Sequence, residues 1–488
     1  MRPKQISEFI YEIKPEMKVV KVHGQITHFK MKAPTHIYAN RELMAKISRD
    51  RSIDQMTNVA CLPGIQKHTV AMSDAHQGYG FCIGGVAATN IDGGAISPGG
   101  VGYDINCGVR LLKSELRYKD IAPNIPDLIE AIFHNIPSGL GSKGKLRISH
   151  TDLDRILDEG VNWAIDKGYG FEKDRKFVED NGIMEGADSS VVSKRAKSRG
   201  IKQVGSLGSG NHFCEIQKVE EIFDEEAAKV LGIEKGNITV MIHTGSRAMG
   251  HQVCTDALQE INRVMRKKDM MAPDRELAYV VSGTKEADRY LKQMRAAANF
   301  AYTNRHIIMH WIRESFKKVL GVPNDSLELV YGLCHNILKQ EEHDVGGGKK
   351  MMVNVHRKGA TRAFPPGHKE VPDKYKSIGQ PALIPGSMGT ASYLCVGQPK
   401  AMDLSFGSTA HGGGRVMSRS KAKRKFWGED IKKQLNKKGI AVRADNMRVV
   451  AEEAPLAYKN IDDVINVSHY LGIIKKVAKL IPVAVTKG

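Results

Sequence analysis

Short apolar runs separated by clustered glycines constrain the fold of this chain more than any other feature. They include GYGFCIGGVAATN and GGVGYDINCGVRLL, between Val59 and Leu112, and later QVGSLGSGNHFCEIQKVE and NITVMIHTGSRAMG. Glycine adopts backbone angles that other residues avoid, so such runs are typical of strands joined by tight turns. Because these strands do not alternate regularly with helices, the sequence predicts an α+β fold of mostly antiparallel sheets flanked by helices.

A long helix is predicted between Lys285 and Leu320, where apolar residues follow helical periodicity and no proline intervenes. His306 and His310 lie one turn apart on it, a spacing that could bind a metal ion. No third ligand lies nearby in the sequence, so packing of these histidines is the favoured interpretation. Without a repeat or a linker-like change of composition, we expect a single domain over residues 1–488. The apolar ending LIPVAVTKG predicts a packed tail.

The charge balance points to a polyanionic partner. Lysine and arginine together number 73 against 54 acidic residues, which gives a formal net charge of +19. Nucleic acid is the usual partner of such a chain, although a basic protein from a cell with a salty or hot interior is the alternative. The section Ser418 to Arg448 carries 11 basic residues against three acidic ones, and Lys194 to Lys202 is a shorter basic run.

Cysteine usage and the absence of long apolar runs indicate the compartment. The seven cysteines are scattered and never form a C-x-x-C pair, which argues against a disulfide framework and a four-cysteine zinc site. The N-terminus has no apolar core of the signal-peptide type, and no run is long enough to cross a bilayer. We therefore expect a cytoplasmic protein in a reducing environment, with no membrane contact.

Three histidines share a local pattern that suits a metal site. His212, His243 and His335 each lie at the end of a β-type run beside a small or amide residue, and Asp104 and Cys107 lie three apart in a glycine-rich turn. Any one of these histidines alone is better explained as a hydrogen-bonded core residue. As a set of five, thiolate, imidazole and carboxylate groups favour zinc, manganese or iron.

The sequence leaves the members of this set and the role of the cysteine open. Cys107 could be a nucleophile instead of a ligand. His76 and His356 lie in equally glycine-rich or charged loops, so they are candidates too. The loops GSLGSGNH, IPGSMGTAS and AHGGGR offer backbone N–H groups to anions, but none matches a Walker or dinucleotide motif. With 48 glycines in the chain, plain turn chemistry is the alternative.

Seven segments in a fixed order resemble the RtcB family. They are DINCGVR, GSGNHF, HTGSR, HN, HRKGATRAFPPG, IPGSMGT and GSTAHGGGR, and the resemblance runs from Ser73 to the C-terminus, weakest between Lys113 and Arg199. RtcB proteins are GTP-dependent RNA-splicing ligases that use manganese. The resemblance implies an α+β fold in one domain, two Mn²⁺ ions, GTP as cofactor, and an RNA partner in tRNA splicing or RNA repair. An activator of the archease type and a monomeric state are further expectations.

The implied reaction joins an RNA end with a 2′,3′-cyclic phosphate or 3′-phosphate to a 5′-hydroxyl end through a covalent histidine–GMP intermediate. The resemblance makes His411 the guanylylated residue, in the stretch SFGSTAHGGGR. Two alternatives stay open. A metal-dependent phosphoesterase would use the same ions without guanylate, and a non-catalytic RNA-binding module would need neither ions nor guanylate.

The resemblance also assigns roles to individual residues. The implied metal ligands are Asp104, Cys107, His212, His243 and His335, with Cys107 bridging two ions. The residues implied in guanylate contact are Asn211, His212, Phe213, Cys214, Glu215, His335, Asn336, Pro385, Gly386, Ser387, Met388, Ser392, His411, Gly412, Gly413, Gly414, Tyr458 and Lys487. The basic residues implied in handling phosphate or RNA are Arg247, Lys358 and Arg415.

Overall fold

Two large β-sheets form the frame of the protein, which is known from a computed structural model that describes residues 2–22 and 24–488. The strands in chain order are β1 (Lys4–Ser7), β2 (Ile10–Ile13), β3 (Met17–Val22), β4 (Gln25–Lys30), β5 (Thr35–Tyr38), β6 (Thr69–His76), β7 (Ile83–Asn90), β8 (Ala95–Ile96), β9 (Gly108–Arg117), β10 (Phe213–Ile222), β11 (Asn237–Thr244), β12 (Val280–Val281), β13 (Glu328–Cys334), β14 (Asn336–Asp344), β15 (Lys350–Lys358), β16 (Ala360–Arg362), β17 (Pro381–Ile384), β18 (Ser392–Gly397), β19 (Ser408–Ala410), β20 (Ala441–Ala444) and β21 (Ile474–Lys487).

Helices cover the sheets and fill the space between them. The α-helices are α1 (Arg41–Ile47), α2 (Ser52–Val59), α3 (Tyr118–Ile121), α4 (Ile125–Asn135), α5 (His150–Glu159), α6 (Val161–Asp166), α7 (Lys194–Gly200), α8 (Glu225–Leu231), α9 (Arg247–Lys267), α10 (Lys285–Leu320), α11 (Lys400–Ser405), α12 (Arg419–Lys425), α13 (Gly428–Lys437), α14 (Met447–Glu452) and α15 (Ile461–Tyr470). Short 3₁₀ helices lie at Pro98–Gly100, Ala122–Asn124, Glu172–Phe177, Glu179–Gly182, Ser189–Val191, Asn324–Ser326, Asp373–Tyr375 and Pro455–Ala457.

The strand pairing is mostly antiparallel. The first large sheet has the order β1-β2-β5-β6-β7-β15-β14, and the second has the order β13-β9-β11-β10-β21-β18-β17, with β20 added against β21. Among the pairs of these two sheets in the described residues, β5 with β6 and β20 with β21 are parallel. The predicted α+β class is therefore confirmed. The last strand, β21, is largely buried and pairs with β10, β18 and β20, so the predicted packing of the tail is confirmed as well.

The helix α10 spans Lys285–Leu320, as the periodicity predicts. Thr284 caps its N-terminus by accepting a hydrogen bond from the Ala287 N–H, and Gly321 ends it in the left-handed conformation that favours glycine. The helix packs against α4, α5, α9 and β11, and its central turns are buried. His306 is fully buried and its Nδ1 lies 3.0 Å from the Arg110 guanidinium, so the packing interpretation of this histidine is confirmed.

The helices of the described residues are unlike membrane-spanning helices. Among the helices of the described residues, none combines the length and apolar character that crossing a bilayer requires.

Some of the positive charge lies in the interior, where it is paired. Arg357 makes a bidentate contact with Glu341, with both N–O distances at 2.7 Å, and Lys339 lies 2.7 Å from Glu179.

A buried ion pair beside α10 gives a test of the packing. Arg313 donates to both carboxylate oxygens of Asp174, at 2.6 and 2.9 Å, and both side chains are almost fully buried. Replacing one partner leaves a buried charge unpaired, so we expect Asp174→Asn to lower the free energy of unfolding by about 3–5 kcal/mol. The measurement is the urea midpoint of unfolding.

The control for this substitution is Glu172→Gln in the same 3₁₀ helix. Glu172 pairs with Arg175 at the surface, where such a pair contributes about 0–1 kcal/mol. Equal urea midpoints for the two variants would contradict the assignment of Asp174 as a buried structural partner.

Candidate functional site

Four neighbouring strands of the second sheet bring their ends together at one edge. The strands β13, β9, β11 and β10 run antiparallel in this order, so the end of one lies beside the start of the next. Cys107 immediately precedes β9 and His212 immediately precedes β10, whereas His243 is the penultimate residue of β11 and His335 follows β13. Asp104 lies in the turn before Cys107, whose N–H donates to the Asp104 carbonyl at 3.0 Å. The strand ends therefore gather the predicted ligand residues.

The side-chain donor atoms form two groups that share the Cys107 sulfur. One group is Cys107, His243 and His335, the other is Asp104, Cys107 and His212, and within each group the atoms lie within 4.8 Å of one another. Cys107 Sγ lies 3.2 Å from His243 Nε2 and 3.5 Å from His212 Nε2. His243 Nε2 and His335 Nε2 are 3.2 Å apart, and His212 Nε2 and Asp104 Oδ2 are 2.8 Å apart.

The chemistry of this donor set fits divalent cations. Burial lowers the pKa of His243 and of His335 well below the ordinary value of histidine, so both imidazoles are neutral. Their Nε2 atoms face each other at 3.2 Å, and at most one proton can lie between them. Burial, with Asp104 adding to it, raises the pKa of the Cys107 thiol, so a thiolate here needs compensating positive charge. Thiolate, neutral imidazole and carboxylate are ligands for manganese, zinc or iron.

The middle of α10 holds the loops that carry these ligands. The Asn304 side-chain amide donates to the carbonyls of Ser206 and Gly245, at 3.1 and 3.2 Å. The Arg305 guanidinium donates at 2.6 Å to the carbonyl of Asn106, the residue before Cys107. Asn106 has a φ of 55°, in the left-handed region, which asparagine tolerates better than most residues. These buried side chains therefore tie the loops before Cys107 and His212 and after His243 to α10.

The imidazole of His411 is held by a buried carboxylate. Asp74 Oδ2 accepts hydrogen bonds from the His411 backbone N–H at 3.0 Å and from ring Nδ1 at 2.6 Å. Burial opposes ionisation of Asp74, but the contacts with His411 and the nearby Lys459 outweigh it and lower its pKa. Protonation of Nδ1 leaves a lone pair on Nε2. The His411 ring centroid lies 4.8 Å from that of His335, so His411 adjoins the metal-ligand groups.

A cavity of about 570 Å³ opens beside His411. Most residues implied in guanylate contact line it, namely Asn211, Phe213, Glu215, Pro385, Gly386, Ser387, Met388, His411, Gly412, Gly413, Gly414, Tyr458 and Lys487. His243 and Arg415 also contribute to the wall. Burial raises the pKa of Glu215 to about 8, and Lys487 Nζ donates to the Gly210 carbonyl at 3.2 Å. The cavity therefore offers an acidic group, a basic group and aromatic rings at its inner end.

Five of the implied guanylate contacts are not among the residues that line the cavity. Cys214 faces the opposite side of β10 from its neighbours, because side chains alternate along a strand, and packs in the main hydrophobic core. Ser392 Oγ accepts from Gln217 Nε2 at 3.2 Å. The Asn336 side-chain amide donates to the Asp104 carbonyl at 3.1 Å. His212 and His335 belong to the donor groups described above.

The three basic residues implied in phosphate or RNA handling differ in their surroundings. Arg247 donates to Ser206 Oγ at 3.2 Å and to Ser142 Oγ at 3.3 Å, close to the donor groups. Lys358 is buried and donates to the Tyr79 carbonyl.

The third of these residues, Arg415, braces the cavity wall. Its guanidinium lies 3.0 Å from Glu453 Oε1 and donates to the Tyr458 hydroxyl at 3.0 Å. The same group stacks over the Tyr458 ring, 5.0 Å from its centroid. In this structure Lys358 and Arg415 have their charged groups engaged by the protein.

A family model described as tRNA-splicing ligase RtcB matches residues 55–488. The chain belongs to the RtcB family. It is 54% identical to the tRNA-splicing ligase RtcB of Archaeoglobus fulgidus over 460 residues, which cover 94% of this chain and 95% of that protein. It is 50% identical to the protein of the same name from Thermococcus kodakarensis, over 98% and 100% of the two chains. Its identity with the Pyrobaculum aerophilum protein is also 50%, over 99% of both chains.

Several residues at the site of this RtcB-family chain were missed by the sequence prediction. Asp74 lies in β6, after the apolar first residues of the strand. The motif SDAH could have indicated a functional side chain there, because the apolar run of the strand ends on polar residues. Asn304 and Arg305 interrupt the apolar face of α10, and a run of polar residues in a helix core was their signal. Glu453 gave no signal in the sequence, although it contacts Arg415 and Tyr458.

The glycine loop after His411 yields a test of its backbone geometry. Gly414 has a φ of 67°, and a Cβ at that position would lie 2.2 Å from the Asp74 carbonyl oxygen. We expect Gly414→Ala to lower the free energy of unfolding by about 1–3 kcal/mol, because the left-handed backbone and the clash both disfavour alanine. The measurement is the urea midpoint.

Gly413→Ala is the matched control in the same loop. Gly413 lies outside the left-handed region, and its nearest neighbour would be the Lys459 carbonyl at 3.7 Å, an ordinary contact. This variant should unfold at the same urea concentration as the parent. If both alanine variants behave alike, close packing does not explain the glycines.

Proposed function

We propose that this chain is an RNA ligase that joins a 2′,3′-cyclic phosphate or 3′-phosphate end to a 5′-hydroxyl end, with GMP carried covalently on His411. The observation that carries the proposal is the position of the His411 imidazole, fixed through Nδ1 by Asp74 between the shared-cysteine donor groups and the cavity. Membership of the RtcB family supports it. The relatives are named tRNA-splicing ligases. For this chain the proposed substrates are tRNA halves or broken RNA.

His411 acts as the nucleophile in the first step. Its Nε2 lone pair attacks the α-phosphorus of GTP, an N–P bond forms, and the bond from that phosphorus to the bridging oxygen breaks. Pyrophosphate leaves with the electron pair. The phosphorylated imidazole keeps its Nδ1 proton and carries positive charge, which the Asp74 carboxylate stabilises at 2.6 Å.

His411 is then the leaving group of the second step. Water opens a cyclic phosphate to a 3′-phosphate, an oxygen of the 3′-phosphate attacks the GMP phosphorus, and the N–P bond breaks. The electron pair returns to Nε2. In the last step the 5′-hydroxyl oxygen attacks the activated 3′-phosphorus, loses its proton, and GMP departs.

Manganese would be held by the two donor groups that have the Cys107 sulfur in common, which consist of Asp104, Cys107, His212, His243 and His335. When bound, manganese supplies positive charge to phosphate oxygens that gain negative charge in each step. The chain's own contribution is to fix the donors. Asn304 and Arg305 hold the loops next to the ligand residues by donating hydrogen bonds to the backbone carbonyls of those loops.

The inner end of the cavity suits guanine. Glu215 lies deep in the wall, where Gln217 Nε2 donates to its Oε1 at 2.6 Å and leaves the other oxygen available. Burial raises the pKa of Glu215 to about 8, so guanine would have to stabilise its ionised form. The N1–H and amino group of guanine would do so by donating to the carboxylate, and adenine does not present such a pair of donors on one edge. Phe213 and Tyr458 provide apolar ring surfaces.

Labelling with GTP tests the nucleophile. Incubation with GTP labelled in the α-phosphate and with Mn²⁺ should give protein-bound, acid-labile GMP in the parent and none in His411→Ala. His310→Ala is the control, because His310 lies on α10 beside Tyr169, outside the cavity lining. Chelation of the metal should abolish labelling. Label that persists in His411→Ala would overturn the assignment of His411 as the nucleophile, and absence of label in the parent would favour the phosphoesterase alternative.

The size of residue 413 tests the loop as a nucleotide contact. Gly413 lines the cavity, and a Cβ there has room beside Tyr458, 3.8 Å away. We expect Gly413→Leu to keep the free energy of unfolding, measured by urea titration, within about 1 kcal/mol of the parent and to reduce GMP labelling at least tenfold. Gly413→Ala should label nearly normally. Full labelling of Gly413→Leu would mean that the glycines serve the turn alone.

A further inference from the structure

Trp427 is an exposed tryptophan at the junction of α12 and α13. Its side chain is 72% exposed, whereas Trp163 is 1% exposed in the core and Trp311 is half-buried. Single exposed apolar side chains are common on protein surfaces, so the residues around Trp427 decide what the indole can bind.

The two helices that flank Trp427 are strongly basic. Residues 419–438 contain nine lysines and arginines and two acidic residues, Glu429 and Asp430, which lie in the first turn of α13. Arg419 and Lys423 form ion pairs with Glu452 at 3.1 and 3.3 Å. The other basic residues of the two helices make no ion pair within the described part of the chain, namely Lys421, Arg424, Lys425, Lys432, Lys433, Lys437 and Lys438.

The position of Trp427 is fixed by packing beneath the helices. Ala422 is the buried residue of α12, and Ile431 and Leu435 of α13 pack in a hydrophobic cluster on the second sheet. Both helices also pack against α14. The N–H of Ile431 donates to the Trp427 carbonyl at 3.1 Å. The backbone that carries the indole is therefore firmly seated.

The basic helices begin at the rim of the cavity beside His411. Ser418 and Arg419, the cap and first residue of α12, line that cavity. At 1.5 Å per residue, the seven residues of α12 lead over about 10 Å from the rim to Trp427. A strand whose end reaches the cavity would meet the lysines of α12 first and the indole next.

We propose that Trp427 is a stacking platform for a nucleobase of single-stranded substrate RNA, with the backbone of that strand lying along the unpaired basic residues of α12 and α13. A positive track with an aromatic ring is the chemistry that binds single strands without sequence preference. The exposed side chains of the two helices around Trp427 are charged rather than apolar, unlike the core of a protein interface. This inference deepens the proposed function and rests on it for the identity of the RNA as substrate.

Binding and labelling are measured separately in the same variants. Stacking contributes about 1–3 kcal/mol per base, so Trp427→Ala should weaken the Kd for a single-stranded RNA oligonucleotide about 5- to 150-fold. Trp427→Phe should recover most of the affinity, because a ring is retained. GMP labelling without RNA should be unchanged in both. Tyr470→Ala removes another exposed aromatic ring, 64% exposed on α15, and should leave the Kd unchanged.

Intrinsic fluorescence reports the contact directly. RNA should quench the emission of the parent, and Trp427→Phe, which retains Trp163 and Trp311, should lose that quenching. An oligonucleotide with a 3′-phosphate and one with a 5′-hydroxyl are titrated in parallel, so the quenching identifies which strand crosses the platform.

Unchanged RNA affinity in Trp427→Ala, together with unaltered quenching in Trp427→Phe, would overturn the inference and leave the indole to a protein contact. Failure of GMP labelling in the parent would overturn the proposed function instead. The two failures are distinguishable, since RNA binding requires no guanylate.

Discussion

The passage of the chain from one large sheet to the other at His335 is the constraint on which the site depends. β13 belongs to the second sheet and β14 to the first, and His335 is the residue between them. Its N–H donates to the Cys107 carbonyl at 2.9 Å, and its carbonyl accepts from the Ala360 N–H at 3.1 Å. One residue thus joins the edge that carries the metal-ligand side chains to the region that carries His411, because Ala360 pairs with Ala410.

Buried charge supports the His411 side of this junction. Arg357 makes its bidentate contact with Glu341 on β14 and also donates to Ser408 Oγ at 2.8 Å and to the Phe406 carbonyl at 2.8 Å. Removing such a guanidinium from water is costly unless all its donors are used, and here the partners include the turn and strand that lead to His411. The Arg357 contacts therefore fix the start of β19 and the turn before it.

The sequence predicted what local pattern encodes. Strand-end histidines beside glycine and asparagine, the bounds of α10, the antiparallel sheets and the packed tail were all readable, because each depends on residues close together in the chain. The contact of Asp74 with His411 could not be predicted, since the two residues lie 337 positions apart in the chain. Neither the burial of Lys358 nor the engagement of Arg415 by Glu453 could be read, because a basic residue looks the same in sequence whether its charge is free or paired. The archease-type activator and the monomeric state stay predictions.

Buried and exposed basic residues have different roles in this protein. Arg305 and Arg357 are buried, and their guanidinium groups donate to backbone carbonyls and, for Arg357, to a carboxylate and a hydroxyl, so they orient loops. The lysines of α12 and α13 are mostly exposed and largely unpaired, and at moderate ionic strength their field extends about 10 Å. A net charge of +19 is thus expressed at the surface, where it attracts a polyanion, while burial lowers the pKa of His243 and His335 and keeps both imidazoles neutral. Neutral imidazole is the form that binds a metal cation, so the burial that keeps His243 and His335 neutral also prepares these two side chains for metal binding.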